Sequence, residues 1–155
     1  MNELESLFQQ FTGEKVLLKE ELSASGSHRR YFRLESKHFS IIGVEGTSIE
    51  ENRAFIEMDK LFHKKGLPVP EFYIQSQDGL YYLQEDLGNT LLFDFIAEGR
   101  KTGVFCESEK EMLRKTIRKL PEIQVKGAEE LDFSICYPQP EFNERSILWD
   151  LNYFK

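Results

Sequence analysis

Cysteine is almost missing: Cys106 and Cys136 are the only two among 155 residues. They stand far apart and fit no metal-ligand or redox spacing, which disfavours a zinc ribbon, a thioredoxin-type motif and a disulfide scaffold. The reading is a pair of reduced thiols in a cytoplasmic protein, with a disulfide between them left open. Long apolar runs are missing too. No stretch approaches the roughly 20 apolar residues of a membrane-spanning helix, and the opening MNELESLFQQF sets acids inside an apolar repeat, unlike a secretory leader. A basic excess is also lacking. The formal net charge of -7 provides no broad positive field for nucleic-acid phosphates or anionic lipid, so neither nucleic acid nor membrane is an expected partner. His28, His38 and His63 share no metal-ligand spacing and receive no metal or catalytic role.

Aromatic side chains, by contrast, are plentiful. Thirteen Phe and six Tyr within 40% apolar residues are too much to leave in water, and a folded domain with a real core is expected. Leu4, Leu7, Phe8 and Phe11 recur at helical spacing and predict a helix over 2–12 that stops at Gly13 and packs on a sheet. The runs 15–22, 30–35 and 38–45, split by the turn-rich ASGSH and by SK, predict three antiparallel strands. Ser48 with Glu51 makes a capping-box pattern. Phe55, Met58, Leu61 and Phe62 then mark the buried stripe of a helix closing at Gly66, with Pro68 and Pro70 barring its continuation. The runs 72–76 and 80–84 flank QDG as a hairpin. The expected fold class is therefore α+β, a five-stranded antiparallel sheet with a helix inserted after the third strand.

Beyond a connector at 86–89 the pattern turns helical. One helix is predicted over 90–98, and Ser108 with Glu111 reads as a second capping box opening a helix towards Lys126, which Pro121 should kink or split. A loop with Pro138 and Pro140 leads to a last helix from about Glu141, whose Ile147, Leu148, Leu151 and Phe154 form an apolar stripe.

The chemistry-bearing features sit at two turns. Between the first two strands runs Ser25-Gly26-Ser27-His28-Arg29-Arg30-Tyr31-Phe32-Arg33. Small residues there let backbone N–H groups approach phosphate oxygens, Gly26 by close approach and Ser27 with an added hydroxyl; the plainer reading is an ordinary hairpin turn. After the fifth strand, Gln84, Glu85, Asp86 and Leu87 form a connector ending at Gly88, which an ordinary strand-to-helix turn would also explain. GSHRRYFRL, ENRAFIEMDKLFHKKGLPVPEFY and LYYLQEDLGNTLLFDFI occur in the order seen in aminoglycoside phosphotransferase-like small-molecule kinases, and over residues 15–96 the chain resembles that family. It looks most like the branch of bacterial anomeric kinases acting on N-acetylmuramate and N-acetylglucosamine in cell-wall recycling. The resemblance implies a protein-kinase-like N-lobe over 1–88, followed by the first helices of a helical C-lobe over 89–155. It also implies ATP as cofactor, with Ser25, Gly26, Ser27, Arg29 and Arg30 at the phosphates. Backbone groups of Gln84, Glu85 and Leu87 would receive adenine.

Departures from the family pattern accompany the likeness. A lysine on strand three and a glutamate on the next helix usually hold the phosphates; the corresponding positions here align near Gly43 and Phe55, so both charges are lost together. Another cation is then required. Strand alternation puts Arg29 and Arg33 on one face and Arg30 on the other; Arg30 is preferred, with a solvated strand edge as the plainer alternative for each arginine. Glu51 is read as the acid of its capping box and Glu57 as part of a solvated helix face. No His-x-Asp-x-x-x-x-Asn loop occurs, so the catalytic base and the Mg2+ ligands are expected in a missing C-lobe segment of a longer protein acting on a sugar hydroxyl. An aminoglycoside kinase and a noncatalytic nucleotide-binding or protein-interaction module are the alternatives.

Overall fold

The computed structural model describes residues 2–23 and 28–153. Helix α1 (Glu3–Thr12) starts where the sequence signals it. Asn2 accepts a hydrogen bond from the Leu4 amide at 3.1 Å, Glu5 accepts one from the Asn2 amide at 3.3 Å, and Gly13 ends the helix in the left-handed region at φ 77°. Its apolar stripe buries Leu4, Leu7 and Phe8, each worth about 1.5–3 kcal/mol relative to exposure.

The sheet comprises β1 (Leu18–Leu22), β2 (Arg30–Glu35), β3 (Ser40–Glu45), β4 (Phe72–Gln75) and β5 (Tyr81–Glu85) in spatial order β1-β2-β3-β5-β4. Every pairing is antiparallel, with Leu22 opposite Tyr31, Phe32 opposite Gly43 and Gly43 opposite Leu83. Alternation along these strands gives the sheet two different faces. One carries Phe32, Leu34, Ile41 and Leu83, which form a core with Leu4, Leu7 and Phe8 of α1. The other carries Tyr31, Ile42, Val44 and Tyr82, which pack with Phe55 and Ile56 of α2 (Ile49–Lys64). Phe55 stacks on Tyr82 with ring centroids 5.4 Å apart.

Gly43 belongs to the α1 face. A Cβ there would lie 2.9 Å from Leu34 Cδ1 and 3.1 Å from Leu4 Cδ2, so a long side chain at this position would enter the α1 core, not the α2 side. The aligned lysine position near Gly43 thus has Ile42 and Val44 as the β3 residues facing α2. The Ser48 cap is likewise only half a capping box. Its hydroxyl accepts from the Glu51 amide at 3.1 Å, but the Glu51 carboxylate turns to Arg29 instead. Asn52, fully buried, donates to the carbonyls of Gly79 at 2.9 Å and Leu80 at 3.2 Å, which ties α2 to the turn between β4 and β5. The Gly46 backbone closes against the Asn52 amide and donates to Leu80 at 2.8 Å.

The helical remainder differs from expectation in detail. The helix expected over 90–98 is two short pieces, α3 (Leu92–Phe95) and α4 (Ala97–Thr102), because the backbone leaves helical geometry at Ile96 (φ -99°, ψ 19°). Helix α5 (Glu107–Pro121) is capped from Cys106, whose amide donates to Glu109 Oε2 at 2.8 Å; Ser108 and Glu111 do not form the predicted box. Glu109 also accepts from the Gly99 amide at 3.0 Å, which holds α4 against α5. At Pro121 the α-helix gives way to a π-helical turn (Glu122–Lys126), as expected of a proline that cannot donate to the ladder. Lys65 Nζ donates to the carbonyls of Lys126 at 2.8 Å and of Glu129, docking that turn on the end of α2. The last helix, α6 (Glu144–Tyr153), starts three residues later than predicted, and Ile147, Leu148 and Leu151 of its stripe remain about half exposed.

Candidate functional site

On the α2 face, where the sheet edge meets the connector after β5, lies a pocket of about 220 Å3. Its apolar walls are Leu22, Tyr31, Ile42 and Pro70; its polar rim is Ser23, Arg33 and the run Gln84-Glu85-Asp86-Leu87-Gly88. Three strands supply the apolar walls, with Leu22 of β1 opposite Tyr31 of β2 and Ile42 of β3 opposite both Arg33 of β2 and Gln84 of β5, all on one face. Gln84 Oε1 is buried with no hydrogen-bond partner among the described residues. A buried amide oxygen left unmet costs about 1–3 kcal/mol, and it is the kind of group a bound polar ligand satisfies.

The rim is built on one ion pair. Arg33 Nε and Nη2 donate to Asp86 Oδ2 and Oδ1 at 2.6 and 2.9 Å, a bidentate contact whose side chains are only 10% and 9% exposed. Arg33 Nη1 donates to Asn89 Oδ1 at 2.5 Å, Ser40 Oγ donates to Asp86 Oδ2 at 2.6 Å, and the Gly88 amide donates to Asp86 Oδ1 at 2.9 Å. The Arg33 hydrogen bonds hold the Asp86 carboxyl well below the usual carboxylate range, against the opposing effect of burial. Gly88 turns the chain at φ 85°, a left-handed geometry suited to glycine. Leu87, 68% exposed, takes part in none of the turn's backbone hydrogen bonds among the described residues. The connector is thus locked in shape while its backbone rim stays accessible.

A second ion pair lies on the same sheet face near the start of α2. Arg29 Nη2 lies 3.2 Å from Glu51 Oε1 as an ion pair and donates to the Glu51 carbonyl at 3.1 Å, and the guanidinium lies 5.2 Å from the Phe55 ring centroid. Arg30 is placed differently. It is bound to Glu21 at 2.8 Å and Glu45 at 3.4 Å on the opposite, α1 face and is half exposed, so the preference for Arg30 over Arg29 does not fit the face on which the pocket lies. Glu57 pairs loosely with Lys60 at 3.8 Å on the exposed helix surface, in keeping with its expected role.

Gln84, Glu85 and Leu87 all line the pocket; the Glu85 carboxylate accepts from the Glu71 amide at 3.1 Å and its own amide donates to the Glu71 carbonyl at 2.8 Å. Ser25, Gly26 and Ser27 lie outside the described residues. The sequence reading missed Arg33 and Ser40 as partners of Asp86, Asn89 as a partner of Arg33, and Tyr31 and Ile42 as pocket walls. Strand alternation had set Arg33 on one face with Arg29; what was absent was the partner across the sheet. Among the described residues no three His, Cys, Asp or Glu groups converge as a metal site, so the side chains present do not fit a magnesium cage. No helix among the described residues is long and apolar enough to cross a membrane.

No family model matches the sequence. Over 93 residues the chain is 28% identical to an N-acetylmuramate/N-acetylglucosamine kinase of Pseudomonas putida. That stretch covers 59% of this chain and 27% of the relative, so the chain is similar to a sugar kinase over about a quarter of that enzyme's length.

Proposed function

We propose that this chain is the nucleotide-binding part of an ATP-dependent phosphotransferase acting on the hydroxyl of an amino sugar. The observation that carries the reading is the pocket at the β5 connector: apolar walls from three strands face a backbone rim fixed by Arg33 and Asp86. Flat apolar walls suit a purine ring, and a connector offering a backbone carbonyl and N–H at fixed spacing suits its hydrogen-bonding edge. The unmet Gln84 oxygen adds an acceptor for an exocyclic amine. The likeness to an N-acetylmuramate/N-acetylglucosamine kinase supports the substrate class.

In this reading residues 1–88 form a kinase-type N-lobe and residues 89–155 begin the helical lobe. The segment Ser25 to Arg30 covers the phosphates, and the whole enzyme works in the cytoplasm. The protein's own part in transfer is positioning and charge stabilisation; magnesium would supply charge neutralisation, and none of the described residues is assigned to hold it.

The test is ADP release by the natural gene product that contains this sequence, offered N-acetylmuramate, N-acetylglucosamine and aminoglycosides in turn. Sugar-dependent release is expected. Turnover on aminoglycosides alone would move the substrate to antibiotics, and nucleotide binding with no turnover on any acceptor would overturn the enzymatic reading in favour of a binding module.

A further inference from the structure

We propose that the cavity between residues 133–142 and helix α6 is a monosaccharide-binding site with Trp149 as its platform; that its ligand is the amino sugar rests on the reading above. The cavity measures about 440 Å3, within the roughly 300–1,000 Å3 of small-molecule sites, and shares no lining residue with the nucleotide pocket.

Helix α6 has two unlike faces. Ile147, Leu148 and Leu151 recur at i, i+1 and i+4 and form the apolar stripe. Arg145, Ser146, Trp149 and Asp150 recur at i, i+1, i+4 and i+5 on another face and line this cavity or the smaller one adjoining it. Trp149 therefore lies off the stripe, and packing along the stripe does not account for it. Tryptophan is highly buried on average, yet Trp149 is 64% exposed and Phe142 in the same cavity is 73% exposed. Two aromatic rings in one cavity are a patch and not the scattered single residues that need no explanation.

The lining has the mixed character that a pyranose requires. One side of such a ring is a flat set of C–H groups, which an aromatic ring covers, and its rim is a row of hydroxyls that donate and accept. Trp149 and Phe142 supply the rings; the Gln139 amide, the Ser146 hydroxyl and the Glu141 and Asp150 carboxylates supply polar groups around them. On an N-acetylated sugar the amide N–H adds a donor for a carboxylate. A wholly apolar lining would favour an apolar helix or a lipid tail, whereas these polar groups favour a polyhydroxylated ligand. The site is also held in shape. Gln139 Nε2 donates to Ser146 Oγ, tying the loop to α6, and Asn143 Oδ1 accepts from the Arg145 amide at 3.1 Å. The Arg145 guanidinium stands 5.7 Å from the Trp149 ring centroid. A ring steadied by a neighbouring cation loses little further freedom when a sugar stacks on it.

The test uses Trp149 as its own reporter, since it is the only tryptophan in the sequence. Titrating the 155-residue protein with N-acetylglucosamine should change tryptophan emission saturably at millimolar sugar. Mannitol, which has the hydroxyls but no ring, should not. Variants are followed by saturation-transfer NMR on the sugar, with far-UV circular dichroism confirming each fold. Trp149→Ala should weaken binding at least about 10-fold, Trp149→Phe less, and Leu151→Ser, on the other face of α6, not at all. Asp150→Asn should weaken it about 3- to 10-fold and carries the test should Trp149→Ala not fold. No saturable emission change with N-acetylglucosamine, an equal response to mannitol, or equal loss in Leu151→Ser and Trp149→Ala would overturn the proposal. So would unchanged binding in Asp150→Asn and Trp149→Phe together. Two results separate it from the reading above. In the natural gene product, sugar-dependent ADP release whose KM for sugar is unmoved by Trp149→Ala would overturn this site and spare the kinase. Sugar binding at Trp149 without ADP release would spare the site and overturn the kinase.

Discussion

Asp86→Ala leaves the Arg33 guanidinium buried with its bidentate partner gone. In the native protein both side chains are about nine-tenths buried, the two N–H···O contacts measure 2.6 and 2.9 Å, and the carboxylate also receives Ser40 Oγ and the Gly88 amide. Breaking a buried pair from one side costs about 3–5 kcal/mol because an uncompensated charge remains. Asn89 Oδ1 stays within reach of Arg33 Nη1 and tempers this, so the expected loss is near the lower figure, about 3 kcal/mol. The assay is urea unfolding followed by tryptophan fluorescence and circular dichroism, with the slope m unchanged between variants. For a chain of this length the same loss lowers Tm by roughly 6–12 °C. Arg33→Met combined with Asp86→Ala removes both charges and should recover part of the stability, giving a coupling energy above about 1 kcal/mol in the double-mutant cycle. A single-variant loss under about 0.5 kcal/mol, or strict additivity, would refute the claim that this pair locks the connector.

Acid should expose the same pair. Asp86 titrates below its unfolded value, so its contribution is fully present above about pH 4 and is lost as pH falls from there towards its folded pKa; the stability gap between wild type and Asp86→Ala should shrink below about pH 4 and be constant near pH 6. Tyr82→Phe removes a buried hydroxyl that has no hydrogen-bond partner among the described residues, so stability should hold or rise by up to about 1 kcal/mol, and a drop in Tm of several degrees would contradict that placement. Gly46→Ala drives a Cβ into the Asn52 amide and should cost about 1–3 kcal/mol by overpacking, with faster hydrogen exchange at Gly79 and Leu80 as the local signature.

Much of this architecture was legible in the sequence, because local chemistry wrote it. Gly13 stops α1, Ser48 caps α2, and QDG turns β4 into β5, each a short-range signal that tertiary packing had no reason to override. The alternation that set Arg29 and Arg33 on one face and Arg30 on the other also held. What alternation leaves open is which face meets which helix. That depends on pairing across the sheet, and a slip by one residue sends Gly43 to the wrong side. The Arg33 and Asp86 partners are 53 residues apart, beyond any local pattern. Glu51 fitted the capping box so well that its tie to Arg29, across 22 residues, had no distinguishing signal. The start of α5 went to Cys106 and not Ser108 because Glu109 is held by two amides, those of Cys106 and Gly99, and only the fold brings Gly99 there.

The most direct test of the nucleotide pocket is amide chemical-shift mapping on the isotope-labelled 155-residue protein during titration with ATP and, separately, with adenosine. Saturable shifts centred on Tyr31, Ile42 and Gln84 to Gly88 are expected with both ligands, with the Arg29 and Glu51 amides responding further to ATP alone. Saturating ligand that leaves the connector amides in place, or shifts confined to the exposed face of α6, would contradict a nucleotide pocket at β5.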